Sequence, residues 1–352
     1  MALFVLMVNP GLCLAKDNRS IPVVNFMFMA ETIAKHHLQN FSKQYYTKIF
    51  PVYYTNAHLM MLRVHQSQAN GQSIDVLMSQ VYNQNVLEDN HTLTSLDHEL
   101  LPNLENISPK LRNLLPGDPN NMYMIPMFGG TMSLVVNSRL IDPASIRSYM
   151  DLWNIELSGR LLIPEDFHSL LPVALQAMGR DARHIRDNVS DLDMEQAWSL
   201  IRLLGERSSQ ITNNAIDYLG ADSDIAAALV YSCDVYSALE KNRDLKVITP
   251  REGNIGWIEA ISIPSQTSNR GLAHAWVNYM LEPEVAAAVA GETGYIPLND
   301  KAYEIMAQNR RSASLPTLQE FLKMPRLIDH RARCEYYNRM WQQFVSLKYA
   351  YY

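Results

Sequence analysis

The feature that most restricts what this chain can fold into is the tract Met124-Ile125-Pro126-Met127-Phe128-Gly129-Gly130-Thr131, which leads into the strongly apolar strand Met132 to Asn137. Two adjacent glycines at the head of such a strand mark a backbone crossing or a close approach by another group. Strand and helix alternate on either side of it, as a parallel α/β sheet requires. Upstream, strands are expected at Ile21 to Phe26, Val52 to Tyr54 and Ile74 to Met78. Helices are expected at Ala30 to Tyr46, Leu59 to Gln68 and Val81 to Leu87. Downstream, a capped helix (Ser145 to Trp153) precedes the strand Arg160 to Ile163. Leu170 to Met178 reads as a buried helix ended by Gly179, and Asp191 to Leu204 as an amphipathic one. Ala226 to Tyr231 is strand-like, Asp234 to Glu240 turns helical, and Trp257 to Ile263 is a strand stopped by Pro264. Leu272 to Leu281, Pro283 to Ala290 and Arg331 to Leu347 read as helices, the second opened by proline in its first turn.

That is more α/β than one sheet needs. Two α/β lobes, joined by crossovers near Gly129–Thr131 and near Trp257, are the economical arrangement. A ligand would then sit between the lobes, where strand ends face each other. The expected division assigns residues 18–129 and 258–303 to one lobe, and residues 130–257 and 304–352 to the other. At 352 residues the chain is long enough for two cores. A composition of 47% hydrophobic and 19% charged residues is that of a folded globule. The net charge is −6 and no Lys/Arg block occurs, so nucleic acid is not an expected partner.

Met1 to Ala15 is an apolar run, shorter than the about 20 residues of a membrane span. It fits the h-region of a secretory signal, although a basic n-region is missing. Export would leave Cys233 and Cys334, either as two thiols or as one disulfide. His36-His37, His91, His98 and His168 show no ligand spacing with cysteines or acids, so a zinc site is not expected. There is no Gly-rich phosphate loop and no Gly-x-Ser-x-Gly elbow, so no cofactor is expected.

Asp118-Pro119-Asn120-Asn121-Met122-Tyr123-Met124-Ile125-Pro126, followed by Gly130-Thr131 and Val135-Val136-Asn137, resembles the first crossover of bacterial polyamine-binding proteins. These are the periplasmic spermidine/putrescine receptors of ATP-driven importers. Asp142-Pro143, Asp151-Leu152-Trp153 and Gly159-Arg160-Leu161 extend the similarity. So do Arg251 to Glu259, Ile263-Pro264 and Gly294-Tyr295-Ile296-Pro297-Leu298-Asn299. The resemblance implies an α/β, two-lobed periplasmic-binding-protein-like fold (group II) with two crossovers. It also implies a monomer in the periplasm that delivers a small cationic amine to an inner-membrane ABC permease.

Carried over residue by residue, the resemblance makes Trp257 and Glu259 the ligand-pairing tryptophan and acid. Asp166, Asp234, Tyr231 and Tyr295 take the remaining acidic and aromatic positions, and Phe26 stands where a tryptophan is usual. Ser169 sits where a glutamate normally clamps an amine, and Val81 or Tyr82 covers a position that varies between aromatic and serine. This set suits a diammonium ligand. Carboxylates replace the hydration of each charge through charge-assisted hydrogen bonds. Aromatic faces cover the methylenes and attract the cations. Each residue also has a purely structural reading: Asp166 and Asp234 as helix caps, and Phe26, Tyr231 and Trp257 as core. The functional alternatives are a sensor module that engages a membrane receptor, and an enzyme using Cys233 as nucleophile with His168 opposite.

Overall fold

The computed structural model describes residues 21–29, 32–70, 73–81, 87, 92–115, 118, 120–180, 189–308, 316–326 and 331–350. The apolar run Met1 to Ala15, Tyr82 and most of the helix expected at Val81 to Leu87 lie outside them, and the side chain of Cys334 is not described.

The chain opens with β1 (Val23–Met29), α1 (Lys35–Gln44), β2 (Lys48–Tyr54), α2 (Ala57–Asn70), β3 (Val76–Gln80), the short α3 (Pro109–Arg112) and β4 (Met124–Asn137). It continues with β5 (Leu161–Ile163), α4 (Phe167–Ala177), α5 (Asp191–Arg207), β6 (Ser208–Ile211), β7 (Ala227–Tyr231), α6 (Ser232–Lys241), β8 (Leu245–Ile248) and β9 (Ile255–Ser262). Then follow α7 (Arg270–Met280), α8 (Pro283–Thr293), β10 (Ile296–Pro297), α9 (Asp300–Ala307), α10 (Leu318–Lys323) and α11 (Arg331–Ala350).

The strands join in the order β2-β1-β3-β9-β4-β7-β5-β6, with β8 and β10 also pairing β4. Pairing is parallel at both flanks, β1 with β2 and β3, and β5 with β6 and β7. It is antiparallel through the middle, where β9 runs against β3 and β4. The two long central strands therefore pass through both halves of the molecule. Met124 to Gly129 and the end of β9 belong to the β1-β2-β3 half, while Met132 to Asn137 pair β7 and β8 in the other. All fourteen residues of β4 and all eight of β9 are buried, as strands covered on both faces must be. The two expected crossovers are register partners, Gly130 opposite Trp257.

Gly129 and Gly130 lie on opposite faces of the sheet. A Cβ on Gly129 would come within 2.5 Å of the Phe321 ring, and one on Gly130 within 2.3 Å of Trp257. The glycine pair is thus a close approach on both faces, because a side chain from each side rests on bare backbone. The fully buried Trp341 of α11 anchors the C-terminal helix to the second half, and its indole N–H donates to the Glu165 carbonyl at 2.7 Å.

The helix expected over Ser145 to Trp153 is instead two 3-10 turns, Pro143–Ser145 and Tyr149–Trp153. Asp142 caps the first and Ser148, in a capping box with Asp151, caps the second, with Ile146 extended between them. Each cap satisfies its own short turn, so the segment stops before a longer helix can propagate.

Asp118, first residue of the motif quoted above, has a structural task. Its buried carboxylate accepts from the backbone N–H groups of Met122, Tyr123 and Met124 at 2.7, 2.7 and 2.9 Å, fixing the entry into β4. Replacing it strands three backbone donors, that of Met124 buried. Asp118→Ala is expected to lower unfolding free energy by about 2 kcal/mol, seen as a reduced denaturant midpoint with an unchanged slope.

Candidate functional site

Trp257 and Glu259 are two residues apart on β9 and so share one face of the sheet. Glu259 lies between its register partners Phe128 of β4 and Gln80 of β3, and Trp257 lies over Gly130. Residues opposite one another in an antiparallel pair present their side chains together. One patch of sheet therefore collects the carboxyl, the indole, a phenyl and an amide. The patch is closed over, with Trp257 2% and Glu259 1% exposed.

Tyr295 enters from α8. That helix ends at Gly294 in the left-handed conformation (φ 73°), and a Cβ there would lie 3.3 Å from the Cys233 Cα. Only glycine meets both demands, so the chain turns here and sets Tyr295 edge-on against Trp257, ring centroids 4.9 Å apart. Tyr231, at the end of β7, stands perpendicular to Trp257 at 6.3 Å. Phe128 lies 5.9 Å from Tyr295. The four rings thus form one connected cluster, two of its contacts edge-to-face and one tilted.

The acids are held differently. Glu259 has one carboxylate oxygen with no hydrogen-bond partner among the described residues, and the Trp257 indole N–H and the Gln80 carbonyl oxygen share that condition. Burial alone pushes the Glu259 carboxyl up to about 8. Asp166 is the N-cap of α4 and accepts from the backbone N–H groups of His168 and Ser169 at 3.3 and 3.2 Å. It also accepts from the Ser169 hydroxyl at 2.8 Å and lies 3.3 Å from the His168 ring. Burial raises its proton affinity, but the His168 and Ser169 contacts prevail and hold it below the usual carboxylate range. Asp234 occupies the first turn of α6, half-buried, with the Cys233 thiol 3.9 Å away.

Ser169 bonds the Tyr231 hydroxyl at 2.7 Å. Asp166, Ser169 and Tyr231 thus form one chain of hydrogen bonds at the mouth of α4, and the capping reading of Asp166 holds. Tyr231 also meets the Gln80 amide, so β3 of the first half touches the end of β7 in the second. Burial, then Asp234, then Glu259 push the Cys233 thiol well above its ordinary range, which disfavours the thiolate a nucleophile needs.

The structure brings together Trp257, Glu259, Tyr295 and Tyr231, with Asp166 and Ser169 joined through Tyr231 and Asp234 on the turn that follows. It does not bring Phe26. That ring is fully buried against Trp276 at 4.7 Å and Phe41 at 6.1 Å, so Phe26 is core of the first half under α1 and α7 and not a wall of this patch. Tyr82 lies outside the described residues. Sequence reasoning missed Gln80, Phe128 and Tyr54. Tyr54 donates to the Met78 carbonyl at 2.8 Å and is held protonated by burial and by Glu259. Register was the signal for the first two, since both stand opposite Glu259.

A cavity of about 1500 Å³ adjoins the patch. Its walls include Thr131 together with Ser232, Cys233 and Gly294, the last three neighbours in sequence of Tyr231 and Tyr295, and Glu259 and Trp257 are not part of its lining. Among the described residues, no helix is long and apolar enough to cross a membrane.

Comparison with known proteins agrees with this architecture. The spermidine/putrescine-binding periplasmic protein of Escherichia coli K12 is 26% identical over 296 residues, covering 83% of this chain and 81% of that protein. The putrescine-binding periplasmic protein SpuD of Pseudomonas aeruginosa is 24% identical over 304 residues, covering 79% and 78%. The solved structure of a putative spermidine/putrescine ABC transporter protein from Listeria monocytogenes superposes with a TM-score of 0.80, at 23% identity and over 92% of this chain and 98% of that one. That likeness establishes the two-lobed binding-protein fold. The family model described as bacterial extracellular solute-binding protein matches residues 71–323, most of the chain, and the protein belongs to that family.

Proposed function

We propose that this protein captures a small diamine, putrescine ahead of spermidine, and delivers it to an inner-membrane ABC permease. The observation that carries the reading is Glu259. It is a buried carboxyl with an unpartnered oxygen, on the strand face that also carries Trp257 and opposite Phe128 in the sheet. An ammonium group placed there supplies the missing partner and converts a costly buried acid into a charge-assisted pair.

The preference for a short ligand follows from Ser169 and Asp166. Ser169 carries no charge, and its hydroxyl is engaged with Asp166 and Tyr231. Asp166 is committed to its own helix and to His168. Glu259 and Asp234 are the two acids of the set that lie outside the α4 cap, and two acids match a diamine more readily than a longer polyamine. The aromatic rings between the acids cover a short methylene chain and add about 0.5–2 kcal/mol per cation–ring contact.

Relatives named as periplasmic spermidine/putrescine- and putrescine-binding proteins support this ligand class, and their names support work in the periplasm. On this reading the protein acts as a monomer without covalent chemistry, and Cys233 is a packing residue. The lobes divide at the paired Gly130 and Trp257, giving residues 18–129 with 258–303 and residues 130–257 with 304–352. Binding energy shifts an open–closed equilibrium between them. Titration calorimetry with putrescine, spermidine and a monoamine of matched length is expected to give one site per chain, with putrescine at least about tenfold tighter than spermidine. A folded protein that takes none of the three would overturn the amine assignment and leave the fold standing.

A further inference from the structure

We propose that His36, His37 and Glu292 form a site for a divalent transition metal, Zn²⁺ by its donor chemistry, where the start of α1 meets the end of α8. Neighbouring histidines on a helix ordinarily point about 100° apart, and the spacing of this pair carries no metal signature. The fold supplies what the spacing lacks. His36 Nε2 lies 3.3 Å from one Glu292 oxygen, and His37 Nε2 lies 3.2 Å from the other. The two imidazole rings are tilted together, 4.0 Å between centroids. All three ligand atoms lie within 4.8 Å of one another.

Those distances suit a metal. Zinc bound at about 2.0–2.1 Å to each donor sets tetrahedral ligand atoms about 3.4 Å apart, and each histidine nitrogen already lies near that separation from one of the two Glu292 oxygens. Two imidazoles and one carboxylate make a borderline donor set that favours zinc over calcium or magnesium, whose preferred ligands are oxygens. The site is anchored and open at once. His37 is 5% exposed and fixes one ligand, while His36 at 53% and Glu292 at 39% leave a face to solvent for a fourth ligand. Glu292 also lines the cavity beside Gly294 and Cys233. A bound ion would therefore pin the last turn of α8 to α1, three residues before Tyr295. The proposal stands apart from the amine reading, since none of its ligands belongs to the aromatic patch.

The test uses the full chain, free of any histidine tag and stripped with chelator. Zinc titration by calorimetry is expected to show one site per chain. Cobalt substitution is expected to give visible ligand-field bands that zinc abolishes. His36→Ala and Glu292→Gln, both at exposed positions that leave the core untouched, should each weaken zinc binding at least about tenfold. His65→Ala, an exposed histidine on α2, should leave it unchanged. If wild type and the His36 and Glu292 variants bind zinc equally, or wild type binds none, the three residues form a hydrogen-bonded cluster only and the proposal fails.

Discussion

Glu259→Gln is expected to abolish diamine binding while making the ligand-free protein more stable at neutral and alkaline pH. The two effects have one origin. Burial raises the Glu259 carboxyl from 4.5 to about 8, so the folded protein keeps a proton that the unfolded chain releases. Stability then falls as pH rises from the unfolded value through the folded one. Holding the full shift, the loss across that window is on the order of 5 kcal/mol. Glutamine has the same shape and cannot ionise, so the variant escapes this loss. Its melting temperature should equal that of wild type near pH 4 to 5 and exceed it by several degrees at pH 8.

Binding responds in the opposite sense. An incoming ammonium favours the carboxylate, so below about pH 8 binding at Glu259 expels a proton. Wild-type affinity should therefore rise by up to about tenfold per pH unit as pH climbs toward that value. The observed binding heat should change with the ionisation enthalpy of the buffer. In the glutamine variant the proton release disappears, and affinity drops by at least about a hundredfold, the cost of removing one member of a buried ion pair. A variant that gains stability yet still binds with wild-type affinity would show that Glu259 is a strained core acid and not the counter-ion of the ligand.

How far the site could be read in the sequence depends on whether neighbours in the chain are also neighbours in space. Trp257 and Glu259 were legible because a strand puts every second residue on one face, and the glycine pair was legible because nothing else explains two glycines in so apolar a run. Asp166 was legible as an acid before a helix, and its capping role was seen only once Ser169 and His168 turned toward it. Phe26 went the other way. Its neighbour Trp276 is 250 positions later, and no local pattern tells the cleft end of β1 from its core. Gln80 and Phe128 depend on the registers of β3 and β4 against β9, and Glu292 reaches His37 across 255 residues of chain. Contacts made by topology alone leave no periodicity behind.

Gly130→Ala tests the aromatic wall without replacing any residue proposed to meet the ligand. Gly130 does not have a positive φ, so alanine is acceptable to its backbone and the effect comes from one added methyl. That methyl would fall 2.3 Å from Trp257 Cζ2, 2.6 Å from Cε2 and 2.7 Å from the Ser232 hydroxyl. No carbon tolerates such separations, and neither neighbour is free to yield. The indole is fixed edge-on by Tyr295 and Tyr231. The Ser232 hydroxyl accepts from the Thr131 backbone N–H at 3.1 Å, tying the start of α6 to β4. Overpacking of this kind costs about 1–3 kcal/mol. Because the clash lies where Trp257 of β9 rests on β4, part of that cost should appear as lost affinity, about tenfold to a hundredfold for putrescine. A double-mutant cycle separates the steric route from general damage. If displacement of the indole is the cause, Trp257→Leu and Gly130→Ala together will cost much less than the sum of the two alone, since a smaller side chain leaves room for the methyl. Additive losses would mean that Gly130 acts through Ser232 and the backbone, and that the ring contributes to binding independently of the glycine beneath it.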